Sequence, residues 1–371
     1  MSTIPTGLTA QDPDPLAGLG LDDIGIEYEE PKWVQFYNLR VGAGYNDNVL
    51  LSRFVDQSSP LTFTEFDAVW VRLPENGFEL TMFLSGYDIR YLGPGISDKD
   101  QSFFATVTAT KELSDRWKAG LETQYIYLDQ VFDSSSSIVD RGNIKSQLHQ
   151  GILRPSLTRR ISKSSSLAFE FQISRSEFLP PADDEWEVGP RLSYQKKFGA
   201  KSDWRIEYGV LRNAGDTTLP VDLSGFTIPG EGAIRTQHEI EFRVRHYWDE
   251  ALKWRSSTRL IVQANRNNGS TFYDFDRYRI SQQLRYRGER WELQTQATFS
   301  FYNYDSRTVS ATNPEKRKRN RLNLETLLQR RISRRWKLFG RHTMEFANSN
   351  RVSDDYTAHV IIGGIEWEYD R

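Results

Sequence analysis

Residues 252–268 read LKWRSSTRLIVQANRNN, and their side chains alternate in polarity along the chain. One set of alternate positions holds Leu252, Trp254, Leu260, Val262 and Ala264. The intervening set holds Lys253, Arg255, Arg259, Gln263 and Asn265. Alternation with a period of two predicts a β-strand that has one apolar and one polar face. The segment exceeds the roughly 5–6 residues of ordinary globular strands and suits a tilted strand that crosses a membrane.

The same pattern recurs along the chain from Lys32 onward, and it predicts sixteen strands. They are expected at 33–46, 60–73, 77–92, 99–112, 116–130, 144–161, 165–178, 185–198, 203–214, 234–248, 252–268, 273–287, 290–305, 318–332, 335–349 and 354–370. Links after even strands are short, whereas most links after odd strands are longer, such as 131–143 and 306–317. Alternating short turns and long loops are typical of an antiparallel up-and-down transmembrane β-barrel with both termini in the periplasm.

Composition favours the same all-β fold. Hydrophobic residues make up 38% of the 371 residues and aromatic residues 13%, so apolar content lies below the 45–50% or so of globular chains. The longest compact apolar run, Val360 to Ile365, is far shorter than the roughly 18 residues that a membrane helix needs. A membrane role therefore requires a closed barrel, which satisfies its own backbone hydrogen bonds within lipid.

Tryptophans recur just after the predicted turns. Placing them at one level on many strands predicts an aromatic belt at the membrane interface. Its members are Trp117, Trp204, Trp254, Trp291 and Trp336. With the apolar set facing lipid, the polar set must face the lumen. No single strand has an outward face that is polar enough to identify an oligomeric interface.

The predicted lumen face is rich in arginine with interspersed glutamate. The candidates are Arg243, Arg245, Arg255, Arg259, Arg277, Arg279, Arg319, Arg321, Arg341, Glu239, Glu241, Glu325 and Glu345. These charges either sort solutes or form cross-strand ion pairs that hold the sheet. The basic run Lys316 to Arg319 is expected at a junction between a loop and a strand. It would bind lipopolysaccharide phosphates or another anion there, or form a solvated loop edge.

Chemistry-bearing motifs are not found. The absence of Cys excludes disulfides, thiolate metal sites, Cys nucleophiles and a lipoprotein anchor, and the net charge of −2 argues against nucleic-acid binding. The five histidines lack metal-ligand spacing. We expect no enzyme activity, no cofactor and no metal. An outer-membrane hydrolase remains a third alternative, which would need a Ser or carboxylate pair beside a well-placed His.

The chain is expected to divide into an acidic N-terminal segment and a barrel. Residues 1–31 are predicted to be a disordered periplasmic leader, or a plug that folds into the lumen, and residues 32–371 to be the barrel. Residues 1–21 lack the basic start and apolar core of a signal peptide. The signal that an outer-membrane location requires is expected to have been removed, or the start to have been misassigned.

The stretch Gly42-Ala43-Gly44-Tyr45-Asn46-Asp47-Asn48-Val49 ends the first predicted strand. It resembles the first-strand signature Gly-x-Gly-Tyr-Asp-x-Asn-Val of the β-barrel porins of exopolysaccharide operons, and is also similar to the barrel domain of surface-lipoprotein assembly modifiers. Small residues there permit close contact with the neighbouring strand. The last strand, with Ile361, Trp367 and Tyr369, resembles the C-terminal signal read by the barrel-insertion machinery.

The resemblance implies transport or secretion across the bacterial outer membrane, with exopolysaccharide as a candidate solute. The cationic excess of the predicted lumen face in the C-terminal half indicates other polar or anionic solutes. The implied partners are outer-membrane lipid, lipopolysaccharide, the barrel-insertion machinery and periplasmic secretion proteins. The alternative is an occluded barrel that acts as a structural or assembly subunit and binds partner proteins.

Overall fold

The computed structural model describes residues 32–370 apart from 56, 94–96, 134–142, 180–183, 200, 217–218, 221–227, 230–231, 270, 272 and 311. The predicted leader 1–31 lies outside the described residues. Sixteen antiparallel strands form a closed barrel in chain order, with the first strand paired to the last. Within the described ranges, no helix is both long and apolar enough to cross a membrane.

The strands confirm the predicted number and the antiparallel arrangement. Their bounds are β1 Trp33–Asn46, β2 Ser59–Glu75, β3 Phe78–Tyr91, β4 Lys99–Ser114, β5 Trp117–Asp133, β6 Asn143–Arg160, β7 Ser165–Phe178, β8 Glu185–Phe198, β9 Ser202–Gly215, β10 Ile234–Tyr247, β11 Trp254–Asn267, β12 Phe275–Arg287, β13 Trp291–Ser310, β14 Asn313–Arg331, β15 Trp336–Ser349 and β16 Tyr356–Asp370. One 3-10 turn, Val352–Asp354, precedes β16.

The predicted loop 306–317 is wrong, because β13 and β14 extend through most of it. Their ladder continues with register shifts between Asn303 and Ser310. The basic run 316–319 therefore lies within β14 and not at a loop junction. Arg317 is fully buried, with Nη2 2.5 Å from Asp354 Oδ2 and its guanidinium 5.2 Å from the Tyr304 ring centroid. The ion pair and the ring contact stabilise Arg317 within a strand, although the polar composition of this segment is typical of a loop.

The two faces of the sheet are assigned as the alternation predicts. On β11, Val262 is 48% exposed while its neighbour Gln263 is 4% exposed. On β1, Val41 is 46% exposed and Arg40 is 5% exposed. The large apolar side chains thus face outward and the polar ones inward, the reverse of a water-soluble barrel.

The first and last strands approach each other closely. An added β-carbon at Gly44 would lie 2.0 Å from the carbonyl oxygen of Ile361, so a larger residue there would push β1 away from β16. Beyond this contact, the Asn48 amide donates to the backbone oxygens of Ser52 and Thr357, both at 2.9 Å. The backbone N–H of His359 donates to Asp47 Oδ1 at 2.6 Å. The residues of the stretch 42–49 therefore close the barrel and fix the first loop.

The short turns and both ends of the described chain share one rim, since Trp33 of β1 pairs with Arg72 at the end of β2. The structure places the five predicted belt tryptophans on the outward face near this rim. Trp117, Trp254, Trp291 and Trp336 each begin a strand, and Trp204 is the third residue of β9. Their directly opposite residues are Arg159, Val244, Tyr286, Arg330 and Trp367.

Candidate functional site

The structure places all thirteen predicted lumen residues on the inward face. The register is regular between β10 and β15 except at the β13–β14 shifts beyond Asn303, and it carries this face from strand to strand. Glu241 pairs with Ile261, Ile261 with Arg279, and the same row continues to Arg321 on β14. Directly opposite residues of a sheet point to the same side. Most inward positions on β10–β14 hold polar side chains, which together form a polar lining.

Several predicted residues form cross-strand ion pairs, which is the structural alternative considered for them. Arg259 contacts Glu241. The other pairs, with N–O distances, are Arg245–Asp203 at 2.6 Å, Arg321–Glu345 at 2.5 Å, Arg277–Glu239 at 3.7 Å and Arg341–Glu325 at 3.8 Å. Four of these five pairs join adjacent strands, and Arg277–Glu239 spans β11. The contribution of these charges to solute sorting is reduced accordingly.

A buried ion network crosses the seam where the barrel closes. Arg40 of β1 contacts Glu65 of β2, and its Nε lies 2.7 Å from Glu366 Oε2 of β16. Arg341 of β15 places Nη2 2.7 Å from Glu65 Oε2, and Lys337 places Nζ 3.7 Å from Glu366 Oε1. Glu366 is fully buried. Sequence reasoning identified only Arg341, because the other members are isolated polar residues at inward positions of four strands.

Three inward arginines differ from the rest. Within the part of the chain that the structure describes, Arg243, Arg255 and Arg285 form no ion pair with a carboxylate. Arg255 lies directly opposite Arg285. Arg243 lies between two further arginines, Arg205 on β9 and Arg259 on β11. Like charges placed side by side are unfavourable in a sheet, so these positions are not explained by strand pairing alone.

The inward charges divide into two opposed walls. On β9–β12, the inward side chains comprise ten arginines and four carboxylates, which gives a formal charge of +6. They are Arg205, Arg235, Arg243, Arg245, Arg255, Arg259, Arg277, Arg279, Arg285 and Arg287, with Asp203, Glu207, Glu239 and Glu241. On β16 and β1–β4, the described inward side chains comprise seven carboxylates and one arginine, which gives a formal charge of −6. They are Glu65, Asp67, Glu79, Asp100, Glu112, Glu366 and Glu368, with Arg40.

The two walls lie across the lumen from each other. Strands β5–β8 separate them on one side and β13–β15 on the other. A lumen with walls of opposite sign has a transverse field, which orients dipolar solutes and attracts anions toward β9–β12. We name these surfaces the arginine wall (the inward face of β9–β12) and the acidic wall (the inward face of β16 and β1–β4).

Apolar clusters interrupt the polar lining, one of them within the acidic wall and one beside it. Leu61, Phe63 and Ile362 are buried together on the inward face near the loop side of β2 and β16. Ile126 and Leu148 belong to a second buried cluster on β5 and β6. Inward side chains this thoroughly buried contact other protein atoms, so the lumen is narrower there than sixteen strands alone would imply.

At the loop side, ion pairs tie loops to neighbouring strands. Lys145 of β6 donates to Asp98 in the loop before β4 at 2.8 Å, and this hydrogen bond holds the pKa of the Asp98 carboxyl below its usual range. Arg175 of β7 binds Asp184 and Asp216, which follow β7 and β9, at 3.2 and 2.6 Å. These ion pairs lie at outward positions of the loop-side rim, since Arg175 is directly opposite the outward Gly151 of β6.

The histidines all lie at outward positions, away from the lumen charges. Tyr208 Oη lies 3.0 Å from His238 Nδ1, and Ser202 Oγ lies 3.0 Å from His246 Nδ1. The Ser202–His246 contact was not predicted, because 44 residues separate its members. Among the described residues, no hydrogen bond or ion pair joins a carboxylate to the His246 ring. Over the same residues, no group of three metal-ligating side chains occurs.

No protein-family model matches the chain, and no curated protein matches it in sequence. The resemblance based on residues 42–49 therefore stays a prediction. Among solved structures, the chain is similar to OccAB1 of Acinetobacter baumannii at 8% identity, covering 91% of this chain and 96% of that one, with a TM-score of 0.48.

Two further solved structures have a comparable likeness. The outer membrane protein OprD from Pseudomonas aeruginosa has 8% identity, 91% and 94% coverage and a TM-score of 0.44. CdiB from Acinetobacter baumannii has 10% identity and a TM-score of 0.47, with 91% of this chain and 60% of CdiB covered.

Proposed function

We propose that this chain is a bacterial outer-membrane pore that admits small polar solutes and favours anions. The observation that carries the proposal is the arginine wall, and within it the three arginines without a carboxylate partner. β11 and β12 place six arginines inward and no carboxylate. Burying such a set of charges in a dry core is prohibitively costly, so the arginine wall requires water or an anion beside it.

The outward surface supports placement in a membrane. A closed barrel leaves no backbone hydrogen-bonding edge, and the outward face is apolar with aromatic rings near the turn rim. Guanidinium groups bind carboxylate and phosphate through two parallel hydrogen bonds. The solutes we propose are therefore small carboxylates or phosphates, acidic sugars among them.

Exopolysaccharide itself is a narrower proposal with less support. It rests on the resemblance of residues 42–49, whose side chains close the barrel and hold the first loop. That role is needed for any solute. The arginine wall would bind the carboxylates of an acidic polymer as readily as those of a small anion, so it does not distinguish the two kinds of solute.

A second candidate function is an occluded barrel that serves as an assembly subunit. The buried inward clusters favour it, since Leu61 is 1% exposed on a face that an open pore would hydrate. An occluded barrel binds partners through its loops or outer surface and conducts no ions.

Swelling of proteoliposomes in isotonic solutes separates these functions. Gluconate, glucose and glucosamine have similar size and carry negative, zero and positive charge. The pore proposal predicts swelling rates in the order gluconate, glucose, glucosamine. Swelling in none of them would favour the occluded barrel, and faster entry of glucosamine than of gluconate would refute the anion preference.

A further inference from the structure

The outward face is not uniform around the barrel. Eight pairs of strands, from β1–β2 to β15–β16, are each joined by a link at the loop side. In each of them the outward residues that lie opposite each other can be counted from the turn rim. The third such couple lies well inside the apolar band. Around the first five strand pairs these residues are apolar or aromatic: Tyr37–Ala68, Met82–Val107, Leu121–Pro155, Phe169–Leu192 and Ile206–Phe242. At the last three they are polar or absent: Thr258–Gln282, Thr295–Thr326 and Gly340–Gly363.

The polar side chains form one row across six consecutive strands. Thr258 Oγ1 donates to Gln282 Oε1 at 2.6 Å, and the hydroxyls of Thr295 and Thr326 lie 3.1 Å apart. Thr326 is directly opposite His342, whose Nε2 lies 3.3 Å from His359 Nδ1. We name this set (Thr258, Gln282, Thr295, Thr326, His342 and His359) the polar row.

Lipid is a poor partner for the polar row. Acyl chains neither donate nor accept hydrogen bonds, so amide and imidazole groups facing them keep unsatisfied capacity. Gln282 is exposed; its Oε1 accepts from Thr258 and its Nε2 donates to the backbone oxygen of Gln283 at 3.4 Å. One amide N–H and one acceptor site remain beyond these two contacts. A protein surface that also offers hydroxyl, amide and imidazole groups satisfies this capacity. Such groups both donate and accept, so a second polar row is a suitable partner for the first.

The glycines beside the polar row permit close approach. Gly340 and Gly363 face each other across β15 and β16 and are both exposed. An added β-carbon at Gly340 would meet nothing within 4 Å, so its small size serves no contact inside this chain. Small residues and interhelical polar groups are the features by which membrane segments associate, and the same physics applies to facing strands.

We propose that the outward face of β11–β16 docks a second copy of this chain within the membrane. Six strands about 4.8 Å apart and a membrane band about 25 Å tall give an outward face on the order of 700 Å², of which a second convex barrel covers only part. The interface is therefore smaller than the 800 Å² or so per partner of a stable protein interface, which fits an association that depends on protein density. Lipopolysaccharide fits less well, because the polar row contains no Lys or Arg to bind its phosphates. The proposal concerns the outer surface and goes beyond the pore function.

The test is the variant Gly340→Leu, with Gly151→Leu as its matched control. Gly151 is an exposed outward glycine of β6, and an added β-carbon there also meets nothing within 4 Å. Oligomeric state is measured by native mass spectrometry in detergent and by photobleaching steps of labelled protein in liposomes. The proposal predicts that wild type and Gly151→Leu are oligomeric. Gly340→Leu is expected to need a protein density at least tenfold higher than wild type to form the same oligomer.

A monomeric wild type at every density, or a Gly340→Leu variant as oligomeric as wild type, would overturn the proposal. Thr295→Leu/Thr326→Leu provides a second variant, since leucine is a residue that the first five strand pairs accept at this depth. It is expected to dissociate in the same way if Gly340→Leu does not fold. Conductance is recorded in parallel, so that loss of the pore function in all variants is distinguished from loss of association.

Discussion

Replacing Arg243, Arg255 and Arg285 together by glutamine removes the three inward charges that no described carboxylate pairs. Glutamine is shorter and has fewer N–H donors than arginine, but it is polar and uncharged and suits an inward position, so the barrel is expected to fold. The expected result is a pore that loses most of its preference for anions, because the arginine wall falls from +6 to +3 in formal charge.

The magnitude follows from the distance between these side chains and a passing ion. At about 8 Å in water, one charge contributes roughly 0.5 kcal/mol. Screening at 0.1 M salt, with a Debye length of about 10 Å, halves that value, so three charges contribute about 0.7 kcal/mol. An anion loses this stabilisation and a cation loses the same repulsion. The permeability ratio therefore changes by about 1.4 kcal/mol, or roughly tenfold.

The assay is the zero-current reversal potential across a planar bilayer under a tenfold KCl gradient. The matched control is Arg243→Lys/Arg255→Lys/Arg285→Lys, which keeps the three charges and is expected to keep the wild-type potential. In about 1 M salt the Debye length falls to about 3 Å, and the difference between variants should nearly vanish. An unchanged potential in the glutamine variant, or an equal shift in the lysine control, would refute the reasoning.

Three further predictions concern the barrel itself. Gly44→Val places a β-carbon against the backbone of the last strand and should abolish the heat-modifiable band on cold SDS gels, whereas Gly151→Val should retain it. Glu366→Gln removes a fully buried carboxylate from the closure network and should lower the free energy of unfolding by about 3–5 kcal/mol, measured by urea titration in lipid vesicles; a loss below 1 kcal/mol would show that the network is not structural. Leu260→Arg puts a charge on the outward face and should cost about 2–4 kcal/mol in the same titration, while Gln263→Arg, on the inward face, should cost far less; equal costs would contradict the assigned faces.

Alternation along each strand was sufficient to predict the number of strands, the short turns and the inward and outward faces. The signal is strong because a one-residue slip would turn every inward arginine of a strand toward lipid. It failed at β13 and β14, where a polar stretch remains extended. Arg317 there depends on Asp354 and on the ring of Tyr304, and contacts between residues distant in sequence leave no mark on local periodicity.

The inward candidates were predicted as a set, but their roles were not. Whether an arginine is paired depends on the register of two strands, and register is not readable from one strand alone. Arg245 forms an ion pair with Asp203 on the preceding strand, whereas Arg255 lies directly opposite Arg285 on the following strand. The polar row was not predicted for the same reason. One outward threonine on a strand indicates nothing until the register places further polar residues beside it.

Single-channel conductance of the refolded protein in a planar bilayer measures directly whether the barrel is an anion-preferring pore. Such a pore gives large, steady steps that carry more anion than cation current. A version beginning at Lys32, recorded beside it, shows whether residues 1–31 block the lumen, since a plug predicts steps in the shorter version alone. No conductance in either version, despite heat-modifiable β-structure, would contradict the pore and leave an occluded barrel.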